Sequence, residues 1–293
     1  MNTNPIVKFF EYLFTLNGAF RWDLVFKYIF NGYIVQGVVV TIFLALLAQL
    51  IGSLIGLLLY FLRRSRLRIL RLFGGTYVLL VRGTPLLVQI LFLSVFLQII
   101  HVDRFFASMD LFGALGFTIQ VPFDAFFAAL AALSLNEGAY MAEIVRAGID
   151  SIDTGQMEAA KSLGMTYGVA MRRIVLPQAL RVIVPPLGNE FNGMLKNTSL
   201  AYAISVSELL YTSYKTFGPA LGATLEFLVI ASFWYLLLTT GWSIVQSWLE
   251  RRLNVSNIDP AQLAKVKWWS RLLGTREPAT VPGLAPVGPT LEH

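Results

Sequence analysis

Residues 28–62 include no charged side chain. A helix that crosses the hydrocarbon core of a bilayer needs about 20 predominantly apolar residues, so this run is long enough for a crossing with length to spare. It predicts a first span at about 33–62, tilted or beginning in the headgroup region. Composition agrees. The chain is 56% hydrophobic and 14% charged, with a mean hydropathy of +0.65, where a soluble domain is about half apolar and about a quarter charged.

Four further stretches read as spans: 83–100, 125–149, 182–200 and 227–249. The third holds Glu137, Glu143 and Arg146, and the fourth is interrupted by Pro185, Pro186, Glu190 and Lys196. The expected fold is all-α, an integral membrane bundle of about five transmembrane helices. Gly52 and Gly56 form a small-xxx-small pair that permits close helix approach.

Lys and Arg concentrate in short cytoplasmic loops. Arg63, Arg64, Arg66, Arg68 and Arg71 follow the first span; Lys161, Arg172, Arg173 and Arg181 follow the third; Arg251 and Arg252 follow the fifth. The loops at 101–124 and 205–226 hold only Arg104 and Lys215 as cations. The alternation predicts an amino terminus outside and a carboxyl terminus in the cytoplasm. Topology thus accounts for the net charge of +6, and nucleic-acid binding loses its support. With no cysteine, and with His101 and His293 as the only histidines, disulfides, thiolate sites and a catalytic metal cluster are excluded. Trp234, Trp242 and Trp248 suit lipid or interface packing.

Residues 1–31 mix aromatics with Lys8, Glu11, Arg21, Asp23 and Lys27, which suits an interfacial helix on the outer face or a soluble flap. They lack a cleavage pattern and are expected to stay on the mature chain. Residues 32–253 form the transmembrane domain. The tail, 254–293, is expected to be cytoplasmic and partly disordered, and its final Leu-Glu-His resembles the start of a purification tag.

Residues 150–177 are too charged for lipid yet patterned as structure. Asp153 or Thr154 can cap a helix over 156–163, Glu158 sits in its first turn, and Gly164 supplies a stop or a close contact. A second run, 167–176, is expected to end sharply at Pro177. The result is a short helix pair on the cytoplasmic face, able to take mechanical force from a soluble partner.

Within that loop Glu158, Ala159, Ala160, Gly164, Ile174, Leu176 and Pro177 keep every spacing of the loop found in permease subunits of ATP-binding cassette importers, which the chain resembles over roughly 33–250. The phrases at 81–89, 139–146, 176–181 and 196–200 resemble the polar amino acid branch. The resemblance implies a multi-pass protein of the bacterial plasma membrane that imports polar amino acids. Its partners would be two ATPase subunits, a second permease copy or a sister permease, an extracytoplasmic amino-acid-binding protein and the lipid bilayer. Glu158, Ala159, Ala160, Gly164, Leu176 and Pro177 would form the contact with the ATPase. The chain has no phosphate-cradling Gly-x-x-x-x-Gly-Lys-Ser/Thr motif. It is therefore expected to be no enzyme and to hold no cofactor, with ATP and Mg on the partner subunit.

Ionisable residues inside a span usually face a cavity or a partner. Asn136, Tyr140 and Glu143 share one helix face, with Glu137 about 100° away, and Asn189, Asn192 and Lys196 share another, with Ser199 beyond. Opposed, these faces could hold the ammonium and carboxylate of an amino acid. Equally, Glu143 could pair with Arg146, Lys196 and Glu190 could be structural, and Arg82 could anchor at the interface. A proton-relaying secondary transporter, a membrane enzyme and an importer permease for phosphate or sugar are the competing readings. They would need, respectively, more spans and an internal repeat, a nucleophile motif, and different flanking phrases.

Overall fold

The computed structural model describes residues 20–101, 111–119 and 121–253. The first 19 residues, Arg104 and the tail beyond 253, with the expectations placed on them, lie outside the described residues.

Helix α1 is Trp22–Tyr28. Helix α2, Gly32–Arg63, starts where the Asn31 side chain accepts the Tyr33 N–H at 2.9 Å. Then come α3, Arg68–Arg82; α4, Leu86–Ile99; α5, the single turn Leu111–Ala114; and α6, Phe123–Asp150. Two short helices follow, α7, Thr154–Ser162, and α8, Tyr167–Ala170, before the long α9, Leu176–Asn197. The single turn α10, Gly218–Leu221, precedes the last helix, α11, Thr224–Arg252. The described residues include no strand.

Helices α2 and α6 form the most closely packed pair, because glycines remove the side chains between them. A Cβ on Gly52 would meet Glu137 carbons at 2.6 Å, one on Gly138 would meet Ile55 Cγ2 at 2.5 Å, and one on Gly56 would overlap Met141 Cβ and lie 2.9 Å from the Ala142 backbone nitrogen. Around this seam Leu44, Ala48, Ile90, Phe126, Leu133, Met194 and Leu195 make the main apolar core.

Helices α2, α6 and α11 are each long and apolar enough to cross a bilayer alone. The second crossing is not the single helix expected at 83–100. It is α3 followed by α4, bent by 110°. Pro85 lacks an N–H and disfavours a helical residue before it, and Gln89 Nε2 reaches back to the freed carbonyls of Val81 at 2.7 Å and Thr84 at 3.1 Å. Gly74 of α3 faces the basic end of α2, where a Cβ placed on it would lie 2.9 Å from Arg63 Cγ. At the other extreme Ser94 and Gln98 of α4 line a cavity with Asp124 and Ala128 at the start of α6. The pair therefore traverses the bundle once. Its first half escaped the sequence because Arg68 and Arg71 read as loop, although Ile69, Leu72, Phe73, Leu79 and Leu80 form an exposed apolar face.

Helix α9, about 33 Å long at 1.5 Å per residue, stands where the fourth span was expected, although it is not among the helices that are long and apolar enough to cross alone. The sharp stop expected at Pro177 is absent. Residues 171–175 form a wide turn in which the Leu176 N–H reaches Met171 O, so the chain enters α9 with Pro177 in its first turn, where a missing N–H costs little. The Gln178 amide also donates to Ile174 O at 3.0 Å. Pro185 and Pro186 are carried inside the helix, and Gln246 of α11 donates to Pro185 O at 3.3 Å.

At the end away from the arginines, α1 lays Leu24 and Val25 against Ile34, Leu209, Phe227 and Ile230. The Arg21 N–H donates to Glu226 at 2.8 Å and Trp234 Nε1 donates to Ile29 O at 2.7 Å, so this tryptophan fixes α1 to α11. The fully buried Glu208 accepts the Leu210 and Tyr211 N–H groups at 2.9 and 2.7 Å and the Tyr235 hydroxyl at 2.8 Å.

Candidate coupling helix and polar pathway

Helix α7 projects from the end where the arginines gather. Asp153 Oδ1 caps it by accepting the Gly155 N–H at 2.8 Å. It closes with the Gly164 N–H on Lys161 O at 2.9 Å and the Met165 N–H on Ala160 O at 3.0 Å, the paired bonds of a Schellman motif. That closure needs a left-handed residue, and Gly164 has φ +79° with nothing within 4 Å of a Cβ placed there. Within this chain the glycine serves backbone conformation, not close contact.

The six residues expected to meet an ATPase divide. Glu158, Ala159, Gly164, Leu176 and Pro177 are exposed, whereas Ala160 is 1% exposed and packs on its own chain where α7 meets the 167–175 segment. Leu163, which the sequence reading missed, stands 79% exposed beside Gly164. An apolar residue immediately before a helix-ending glycine was the available signal.

Just before α7, the ends of α2 and α6 are joined by charge. Glu143 pairs with Arg63 and with Arg146, the latter at 2.8 Å; Asp150 pairs with Arg146 at 3.2 Å and with Arg64 at 3.1 Å. Tyr60 and Asp150 hold the Arg64 guanidinium above its ordinary pKa, so it keeps its charge. An exposed pair is worth at most about 1 kcal/mol, but a network of five groups ties α2 to the last turns of α6, from which the chain passes directly to α7. Glu143 is thereby committed to two arginines.

The remaining polar residues face several partners. Asn136 Nδ2 donates to Gln89 Oε1 at 3.0 Å, beside the break between α3 and α4. The Arg82 guanidinium lies 5.1 Å from the centre of the Tyr140 ring. Glu137, 3% exposed, accepts from Gln49 Nε2 of α2 at 3.0 Å. Glu190 of α9 lies within electrostatic reach of both Arg82 and Glu137. Asn189 and Asn192 turn to α11, accepting from Gln246 at 3.2 Å and donating to Ser243 at 3.1 Å. Lys196 and Ser199 line an open cleft of about 390 Å³ with Ser232, Tyr235 and Thr239. The structure thus does not set the Asn136 face opposite the Asn189 face within one chain. Trp242 donates to Gly188 O at 2.8 Å and stacks edge-on with Phe191, packing α11 onto α9. No group of three His, Cys, Asp or Glu side chains able to hold a metal occurs among the described residues.

The described residues thus form a helical bundle with helices apolar enough to cross a membrane, polar side chains among them and a short exposed helix at one end. The chain belongs to the family described as binding-protein-dependent transport system inner membrane component, which matches residues 50–255. It is 38% identical to the arginine transport system permease protein ArgU of Corynebacterium glutamicum, over 80% of this chain and 72% of that one. It is also 38% identical to the L-cystine transport system permease protein TcyB of Bacillus subtilis, over 82% and 94%. A solved structure described as an amino acid ABC transporter with histidines superposes with a TM-score of 0.64 at 35% identity, covering 75% of this chain and 94% of the other. The MetNI methionine transporter, at 19% identity and a TM-score of 0.55, shares the fold. The resemblance drawn from the 158–177 spacing is thereby confirmed. The chain is a multi-pass inner membrane permease of an ABC importer, it is not itself the ATPase, and its family works with an ATPase and a binding protein.

Proposed function

We propose that this permease carries polar amino acids into the cytoplasm, with its amino terminus outside and its carboxyl terminus inside, and that α7 docks in an ATPase subunit. The exposed row Glu158, Ala159 and Leu163, standing on a helix whose own packing is satisfied through Ala160, is the observation that carries the reading. A small residue flanked by a charge and an apolar knob leaves room for a partner surface. The ion-pair network then carries displacement of α7 into α2 and α6.

Two ATPase subunits would hold ATP and Mg, a second copy or sister permease would complete the pathway, and an external binding protein would deliver cargo. Residues 1–31 form the outer segment, 32–253 the permease body and 254–293 a cytoplasmic tail. Lys196 and Ser199, in their open cleft, with Asn136, Glu137 and Tyr140 around the break between α3 and α4, line the route. Asn189 and Asn192 hold α9 to α11 beside it, and Glu143 fixes its cytoplasmic end. The named amino-acid permeases among its relatives support this cargo class.

Proteoliposomes bearing the full importer, given arginine, lysine, histidine, glutamine, glutamate and aspartate in turn, are expected to accumulate one or a few of them only with ATP inside the vesicles' ATPase compartment. Uptake by the chain alone, driven by a proton gradient, would replace this reading with a secondary transporter.

A further inference from the structure

At the end of the bundle opposite α7, a cavity of about 220 Å³ opens between three elements. Ser94, Leu97 and Gln98 come from α4, Asp124, Ala125, Phe127 and Ala128 from α6, and Ile204 and Ser205 from the turn after α9. None of the residues assigned to the route or to the ATPase contact lines it. Asp124 takes part in none of the ion pairs among the described residues. Every other residue of the lining is uncharged. Two hydroxyls and an amide oxygen can accept hydrogen bonds, while the apolar residues lower the local dielectric and strengthen the pull of one carboxylate on a cation.

Ser205, on the wall, has φ +64°, a left-handed conformation rare for a side-chain-bearing residue. It turns the chain back toward Glu208, which is anchored by three hydrogen bonds.

We propose that this cavity binds a primary ammonium group on the Asp124 carboxylate. The lining offers acceptors of the kinds that an ammonium group takes: the Asp124 carboxylate, the Ser94 and Ser205 hydroxyls and the Gln98 amide oxygen. Its role rests on the amino-acid importer reading, under which this is the outer face: cargo released there would be held by its ammonium before reaching Lys196 and Ser199.

The chain has no cysteine, so Ser94→Cys puts a single thiol in the cavity of the full-length protein in lipid nanodiscs. Its modification rates by aminoethyl and sulfonatoethyl methanethiosulfonate are compared with those of Thr118→Cys, an exposed position at the same end but outside the cavity. The ammonium reagent should be favoured at position 94 by about tenfold over the control ratio. Adding Asp124→Asn should abolish that preference, and propylamine should slow the ammonium reagent only while Asp124 is present. Gln98→Cys gives the same comparison should Ser94→Cys fold poorly. Equal ratios at the two positions, or a preference that survives Asp124→Asn, would overturn the proposal. No amino acid enters this experiment, so its failure is distinct from a failure of amino-acid uptake.

Discussion

Ala159→Trp should leave the protein folded and membrane-inserted while lowering ATP-driven uptake and cargo-stimulated ATP hydrolysis by at least about tenfold, as loss of a central interface contact of ~2 kcal/mol or more does. Ala159 is exposed on α7, so an indole there can point to solvent. A partner surface that approaches the small side chain would be held off. Ala160→Trp is the informative companion. Ala160 is buried against its own chain, so this substitution should reduce the folded yield as well. Equal behaviour of the two variants, or normal coupling in Ala159→Trp, would mean that the exposed face of α7 is not a docking surface.

The largest effect on stability should come from Gly56→Leu. A Cβ at this position already overlaps Met141 Cβ and reaches the Ala142 nitrogen and the Gly138 oxygen at 2.9 and 3.0 Å, and two of these three neighbours are main chain that cannot rotate away. Overpacking a fitted core costs about 1–3 kcal/mol even where side chains can adjust. Here α2 and α6 must separate, and in a membrane close helix approach is itself what holds them together. The thermal midpoint in detergent should fall by many degrees, with loss of monodisperse protein. Gly75→Leu is the control: nothing lies within 4 Å of a Cβ there, and the midpoint should hold.

Much of this architecture was legible because membrane burial imposes simple rules. An uncharged run such as 28–62 has few alternatives, and helix α2, Gly32–Arg63, occupies it. The cap at Asp153 and the stop at Gly164 were local chemistry, and both are present. What was not legible depended on three-dimensional partners. Residues 68–82 looked like a basic loop because charge was weighed over periodicity, yet they form the first half of a broken crossing. Pro177 looked like a terminator because the wide turn that accommodates it, 171–175, has no sequence signature. Glu143 could equally have faced cargo or an arginine. Its partner Arg63 is 80 residues away and became visible only with the packing of α2 on α6. Likewise, Gln89 revealed its task only once the carbonyls of Val81 and Thr84 were seen to be freed by the bend.

The most direct measurement is photocrosslinking from a benzoylphenylalanine placed, one position at a time, at Ala159, Leu163 and Leu72 of the assembled importer. Positions 159 and 163 should capture the ATPase subunit, and Leu72, on the exposed apolar face of α3, should not. Capture at 72 alone, or at none of the three, would contradict the assignment of α7 as the element through which ATP hydrolysis drives this permease.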